Sequence, residues 1–462
     1  MPMRSIHVLA GFVIAGALLY LLYRPALAGP FIYDDNVTIL ANAKIQSPSL
    51  LEVLSENPFR ALPNLTFAAQ YHLSFNPARE QPRPRPFHLF NLFLHWLCGL
   101  ALYAVLIKLR PSARAWAFGS ALLFLGHPLL TEAVNFITAR FSLMATLFYL
   151  LAVRNYLDSE TRPRRLLLFW ACFLAALFSK EIAATLPAAL FLLNRWQKKP
   201  QRHLLGTALA VGAYLALRLS WTIILVSEPG QTLSPLRYFL LQNRVLWLYL
   251  QKFLWPLHQN FDYHLAFSAA GAVPFLLLNL AVMALVLKHF RRGAGWAVGA
   301  LLWLILFLPT SSIIPLADPI KEYHAYLPAA AALPLLAAGF FAETRFRAWS
   351  KIAFALMLAC MIALTFARNS TWQTEERLWR DAVADSPAKP RAVYNYAQTL
   401  RRQLKLEAAL FWYRRALVLD PTDTQTIQNI DLAEQALKSP DLPRWREELK
   451  RRQELEASGG WP

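Results

Sequence analysis

Phe31-Ile32-Tyr33-Asp34-Asp35-Asn36 follows closely on an apolar run from Ile6 to Tyr23. Two adjacent carboxylates at the mouth of a membrane span are costly to keep dry, so an acidic turn in that place reads as a working polar site by default. A solvated loop that merely marks a helix end is the plain alternative. The charge pattern of the remaining chain separates the two.

The 462 residues are 56% hydrophobic and only 16% charged, with a mean hydropathy of +0.32, which excludes an ordinary soluble protein. Repeated apolar runs of about 18 to 22 residues read as membrane spans. The net charge of +19 would point to nucleic acid in a soluble protein. Here the excess lies in short loops between apolar runs, so topology explains it and no nucleic-acid partner is expected. Cys98, Cys172 and Cys360 each fall inside an expected span, without disulfide or metal spacing, and read as packing residues. No metal ligand set and no cofactor motif is visible, and there is no P-loop.

Basic clusters alternate with neutral or acidic loops and fix a sidedness. Arg4, Lys108 to Arg114, Arg154 to Arg165, Arg195 to Arg202, Lys288 to Arg292 and Arg345 to Lys351 share one side, cytoplasmic by the positive-inside rule. Asp34, Asp35 and everything after Phe366 fall on the other. Spans are expected near 6–24, 87–108, 113–127, 136–155, 165–179, 182–195, 203–225, 272–289, 295–312, 324–342 and 348–367, about eleven in all. The stretch 236–257 carries Arg237, Arg244 and Lys252 and reads as an interfacial or re-entrant helix on the outer side. Ala26-Leu27-Ala28 resembles a signal-peptidase site, yet the first helix is expected to stay and position the acidic turn behind it.

The outer loop 29–86 is larger than a connector needs. It holds an amphipathic piece, Leu50 to Leu54, and a Pro/Arg run, Gln81 to Pro86, expected as a stiff extended lead into the next span. Beyond Phe366 the chain turns soluble and helical. Pro387 and Pro421 lie 34 residues apart around Ala397, Ala409, Tyr413 and Ala416, the spacing of a tetratricopeptide repeat. The expected division is therefore a transmembrane catalytic domain, 1–367, and a helical repeat domain, 368–462.

Polar side chains recur at the outer ends of the spans: Arg60, His88, Asn91, His95, His127, Glu132, Arg140, Lys180, Glu181 and Glu322. Gathered at one face they describe a polar site. A carboxylate near a hydroxyl can act as general base, and Arg and Lys can hold a leaving phosphate. That combination suits transfer of an activated group from a lipid phosphate to a hydroxyl. Plainer roles stand beside it: Arg140 paired with Glu132, His88, Asn91 and His95 tying spans together, and His127 ending a helix.

The ordered set resembles a known family. The Asp34-Asp35 turn, Arg60-x-Leu62-x-x-Leu65-Thr66, His88-x-x-Asn91-x-x-x-His95, His127-Pro128-x-x-x-Glu132-x-Val134, Arg140, Lys180-Glu181, Glu322 with Tyr326-Leu327-Pro328, and the late repeat are together similar to the polytopic O-mannosyltransferases that carry tetratricopeptide repeats. The resemblance covers nearly the whole chain. It implies an all-α membrane protein of the GT-C glycosyltransferase class, using a polyprenyl-phosphate sugar on the lumenal or periplasmic face. It implies Asp34 as catalytic base, with Asp35 orienting the acceptor or sharing the role. Arg140, Lys180 and Arg60 would hold the donor phosphate, with His127, Glu132, Glu181, Glu322 and His88 supporting. The chain departs from the family pattern at Ser142, Ala61 and Tyr323, where the family usually has Asp, Pro and Arg.

The implied reaction is an inverting transfer of a mannose-like hexose to a Ser/Thr hydroxyl of a protein, with the repeat guiding a protein or peptide acceptor. A GT-C transferase acting on a lipid or glycan, as aminoarabinose transferases do, and a non-catalytic scaffold are the alternatives. The expected residence is a bacterial inner membrane with the N-terminus cytoplasmic and the repeat periplasmic. The sequons at Asn36, Asn64 and Asn369 keep an endoplasmic-reticulum membrane open.

Overall fold

The computed structural model describes residues 2–77, 80–159, 162–225, 233–341 and 347–457; Arg345 of the expected last basic cluster lies outside them. Apart from one two-residue antiparallel ladder, Phe75–Asn76 with Gln81–Pro82, the described regular structure is helical. The chain divides into two compact units. One comprises 1–259 with 266–370, and the other 260–265 with 371–462.

In the first unit six helices are long and apolar enough to cross a membrane: Pro84–Leu109, Ile137–Tyr156, Leu204–Trp221, Ala269–Arg291, Glu322–Phe341 and Ala348–Thr371. A seventh is Arg114–Leu125 with Pro128–Asn135 if that pair, bent by 54°, is one span. This does not match the expected eleven. Ala10–Tyr23 and Gly295–Phe307 are apolar but shorter. Pro163–Leu177 and Leu186–Gln197 have only 15 and 12 residues, whereas about 20 are needed to cross.

The reason is local chemistry. His127 takes an extended conformation before Pro128, as a residue preceding proline must to avoid the ring. Ser179 and Lys180 likewise separate two helices, with Lys180 fully extended. These breaks carry polar side chains into the protein instead of across the bilayer.

The outer loop is a folded cap. Asn42 accepts backbone N–H bonds from Lys44 and Ile45 and starts Ala43–Gln46. Leu50–Glu56 and Ala61–Ser74 follow. Phe31, Ile39, Ile45, Val53, Phe67 and Phe87 close one apolar cluster that also reaches Ile137 at the start of a span. The extended Pro/Arg lead is shorter than expected, because the helix already begins at Pro84; proline fits a first helical turn, where its missing N–H is not needed. Helix Pro235–Leu254 is not among the described helices long and apolar enough to cross a membrane. Its Tyr249 hydroxyl donates to the Lys321 carbonyl at 2.8 Å and its Gln242 amide to Pro319 at 2.8 Å, so it braces the segment leading to Glu322.

Two sequons close on inspection. Asn64 is buried, and Asn369 is fully buried between Asn135 and the Leu22 carbonyl, at 2.7 and 2.9 Å. Neither can present an amide to a modifying enzyme in the folded chain. Of the cysteines Cys98 packs in the interior, Cys172 is half-buried and Cys360 is exposed.

The second unit is a run of helices, Glu375–Asp385, Pro390–Arg402, Leu406–Leu419, Thr424–Lys438 and Leu442–Ala457. Ala392, Ala397, Ala409 and Ala416 are buried where consecutive helices meet, as small residues allow. The segment 260–265 belongs to this unit. Phe261 packs edge-on against Trp372 and Trp379 at 5.4 and 5.3 Å. Asp262, almost wholly buried, accepts from Arg391 Nε at 2.9 Å. Asp262→Ala in the full chain should expose Arg391 and cost about 1.5–3 kcal/mol, the range for a charge-assisted bond. Faster proteolysis near 260–265 and a lower unfolding temperature of the helical unit would register it; unchanged protection would show that Phe261 and the bonds of Asn260 and His264 to Ser386 hold the segment without Asp262.

Candidate active site

The two aspartates of the acidic turn have different fates. Tyr33 sits at φ 46°, a left-handed conformation uncommon for an aromatic residue, and turns the chain sharply before Asp34. Asp34 is consequently exposed, while Asp35 is fully buried. Asp35 accepts the Thr138 N–H at 2.8 Å and the Ile32 N–H at 3.2 Å, which pins the outer loop to the start of a span. Burial pushes its carboxyl up to about 7, although both backbone bonds favour the anion.

Opposite stands a group of cations built on the break between Pro163–Leu177 and Leu186–Gln197. The Lys180 ammonium donates to Ser142 Oγ at 2.9 Å and lies 4.7 Å from the Tyr323 ring centre. Burial lowers it to about 8, with Glu181 opposing and Arg60 reinforcing the shift. Ser142 and Tyr323 are two of the three positions that depart from the family pattern. Here both face the same lysine, one as acceptor and one as aromatic floor.

Glu181 is half-buried between two guanidinium groups, 3.8 Å from Arg60 and 3.3 Å from Arg218. Burial alone would raise its carboxyl, yet Arg60, Lys180 and Arg218 together hold it down at about 2. Arg60 rests on the Phe141 ring at 4.5 Å. Arg218 escaped the sequence reading. It is the single cation inside the apolar helix Leu204–Leu225, and that isolation is the signal by which it stood to be found.

A second pair of carboxylates lies behind. Glu132 Oε2 accepts the Glu322 N–H at 2.8 Å, and Gln259 donates to Glu322 Oε2 at 3.4 Å. Both glutamates are buried, and Glu132 Oε1 has no hydrogen-bond partner. Asp34, Glu132, Asp318 and Arg60 all lie within electrostatic reach of the Tyr323 hydroxyl, and Lys321 lies 5.6 Å from the Tyr33 ring. The sequence-selected Asp34, Arg60, Glu132, Lys180, Glu181 and Glu322 are thus brought to one neighbourhood. No group of three or more metal-ligating side chains exists among the described residues.

Arg140 stands apart from that neighbourhood's open side. It is fully buried, donating to Asn91 Oδ1 at 2.8 Å, Thr66 Oγ1 at 3.0 Å and the Phe87 carbonyl at 3.2 Å. Phe67 and Phe90 cover its faces at 4.4 and 4.8 Å. A guanidinium so enclosed fixes the cap to the span and offers no edge to a ligand, and its partners are not Glu132. His88 bonds the Gly29 carbonyl at 3.1 Å. His95 bonds Tyr326 at 2.7 Å and the Leu125 carbonyl at 3.1 Å. His127 bonds Phe253 at 3.1 Å and accepts from the Leu129 N–H. These three histidines and Asn91 tie segments together, the plainer of their two readings.

No family model matches the chain and no solved structure matches it. Curated proteins do. Over most of its length the chain is similar to a protein O-mannosyl-transferase of Caenorhabditis elegans, 24% identical over 438 residues, covering 87% of this chain and 62% of that protein. It is similar also to human protein O-mannosyl-transferase TMTC1, 26% identical over 510 residues, 91% of this chain and 56% of the relative. A shorter stretch is 33% identical over 189 residues to Drosophila melanogaster protein O-mannosyl-transferase Tmtc1, 38% of this chain and 22% of the relative. The chain spans about 56 to 62% of the length of the first two of these relatives. Their names agree with the O-mannosyltransferase resemblance carried by the motifs.

The state of Asp35 is testable. Its carboxyl binds a proton more tightly when folded, about 7 against 3.8, so its contribution to stability is full below about 4 and is lost as pH rises towards 7. Thermal unfolding in detergent should show wild-type stability falling over that window and Asp35→Asn lacking this component. Parallel pH curves would remove the buried-acid assignment.

Proposed function

We propose that this protein is a membrane-embedded glycosyltransferase that moves a mannose-like hexose from a polyprenyl-phosphate donor to a Ser or Thr hydroxyl of a protein, with inversion at the anomeric carbon. The observation that carries the proposal is the exposed Asp34 on its strained turn, close to Tyr323, around which Arg60 and Lys180 also gather. The curated names of the relatives support the sugar and the protein acceptor.

Asp34 accepts the proton of the acceptor hydroxyl as its oxygen bonds to the anomeric carbon. The bond from that carbon to the phosphate oxygen breaks, and the phosphate leaves with the electron pair. Lys180 and Arg60 receive the developing charge. Asp35 does not touch substrate in this scheme; it positions Asp34 through its two backbone bonds. Arg140 likewise acts by holding the cap. Two apolar crevices of about 400 and 460 Å³ lie between helices, one lined by Leu102, Leu106, Leu302 and Leu335, the other by Leu250, Leu280, Val286 and Leu336. Such linings suit a prenyl chain. The helices after Thr371 serve as a tetratricopeptide-like surface for the acceptor, and the site opens on the periplasmic or lumenal face.

General-base assistance is worth about 10² to 10⁴ in rate. Asp34→Asn should lose at least that much transfer while keeping donor affinity, measured by release of polyprenyl phosphate and by mass spectrometry of the acceptor. Turnover preserved in that variant removes Asp34 as base. Because Lys180 loses its proton near 8, transfer should decline as pH rises through that value, and Lys180→Arg should move the decline upward. A wild-type rate flat from pH 7 to 9 would take Lys180 out of the mechanism.

A further inference from the structure

We infer that Arg60 and Arg218 form a two-pronged clamp for a lipid-linked phosphate, and that Glu181 is its latch, occupying the clamp until the phosphate arrives. This rests on the transferase reading above and adds to it a residue and a mechanism of access.

The geometry of the latch is unusual. Glu181 Oε2 is within ion-pair distance of both guanidinium groups, yet it makes no hydrogen bond. Arg60 Nε is also buried without a hydrogen-bond partner. A settled Arg–carboxylate pair spends these bonds on a bidentate fork at about 2.7–2.9 Å. Here a carboxylate oxygen is held by charge between two guanidinium groups, and one of them, Arg60, keeps its Nε without a hydrogen-bond partner. Phosphate offers more oxygens than a carboxylate and can bond both forks together.

The arginines are braced from behind. Arg60 lies on Phe141, and Arg218 lies 5.9 Å from the Phe59 ring while donating to the Tyr214 hydroxyl at 3.2 Å. Phe59 in turn packs edge-on against Tyr214 at 5.4 Å. Aromatic backing restricts the guanidinium groups while each stays within ion-pair distance of Glu181. Lys180 adds a third cation beside the same carboxylate. Three cations facing one anion leave positive charge for a ligand to neutralise. A lone arginine inside an otherwise apolar helix is costly unless it is used.

When phosphate enters, its oxygens displace the Glu181 carboxylate and no covalent bond changes. The clamp then holds the same phosphate as it becomes the leaving group.

The latch gives the two partners opposite signs. Purified full-length protein in detergent would be titrated with polyprenyl phosphate, the product, so that binding is read without turnover. Arg218→Gln should weaken binding by about tenfold or more, the loss of one charge-assisted fork, and Arg218→Lys should recover part of it. Glu181→Gln should tighten binding, because the competing anion is gone. A variant damaged in folding can only lose affinity, so tighter binding is not mimicked by instability. Unchanged affinity in Arg218→Gln overturns the clamp, and weaker binding in Glu181→Gln overturns the latch. A wild type that binds polyprenyl phosphate but transfers no sugar overturns the transferase reading and leaves the clamp standing. A wild type that binds none overturns both.

Discussion

A buried carboxylate without donors is expensive, and the Asp35 carboxylate is the one on which the outer half of the membrane unit is fastened. It takes its two donors from opposite directions, Ile32 in its own turn and Thr138 at the start of a span. Those bonds fix where the outer loop ends and where Asp34 begins. Without them Tyr33 has no reason to hold a left-handed conformation, and the exposed aspartate has no fixed direction. The apolar cluster from Phe31 to Phe87 and Ile137 closes over the same junction, so the bonds are kept dry.

Arg140 performs the complementary task one turn into that span. Its guanidinium reaches Asn91 and the Phe87 carbonyl on one helix and Thr66 on another, two separate pieces of chain. Asn91 in turn donates to the carbonyls of Val134, Phe136 and Ile137. A cation and an amide thus satisfy the polar backbone at a place where a helix bends and restarts. The residues that look most catalytic by type, a buried arginine and several histidines, are therefore scaffold.

Ser142 and Tyr323, where the resemblance implies an acid and a cation, both lie against Lys180. One loss of each sign leaves the local charge balance unaltered, while burial weakens the hold on the lysine's proton. Glu181 and its two arginines remain as the strongly charged part of the site, next to a lysine whose charge depends on pH.

The sequence by itself determined that the chain is helical and membrane-embedded, because apolar runs and the sidedness of Lys and Arg follow from the cost of placing charge in hydrocarbon. It also led to the expectation that Asp34, Arg60, Glu132, Lys180, Glu181 and Glu322 share one side, and the fold brings these residues to one neighbourhood. It expected about eleven spans, among them 165–179 and 182–195; the helices found there, Pro163–Leu177 and Leu186–Gln197, fall where expected but are shorter than a crossing needs, and six described helices are long and apolar enough to cross. Only tertiary structure separated Asp34 from its neighbour, for adjacent residues of one type differ in nothing but the direction the backbone gives them. Only tertiary structure moved Arg140 out of the site and brought Arg218 in, because whether a guanidinium meets ligand or protein depends on partners 49 and 74 residues away along the chain. The acidic turn was legible in the sequence; its division into a buried fastening and an exposed carboxylate was decided by the fold.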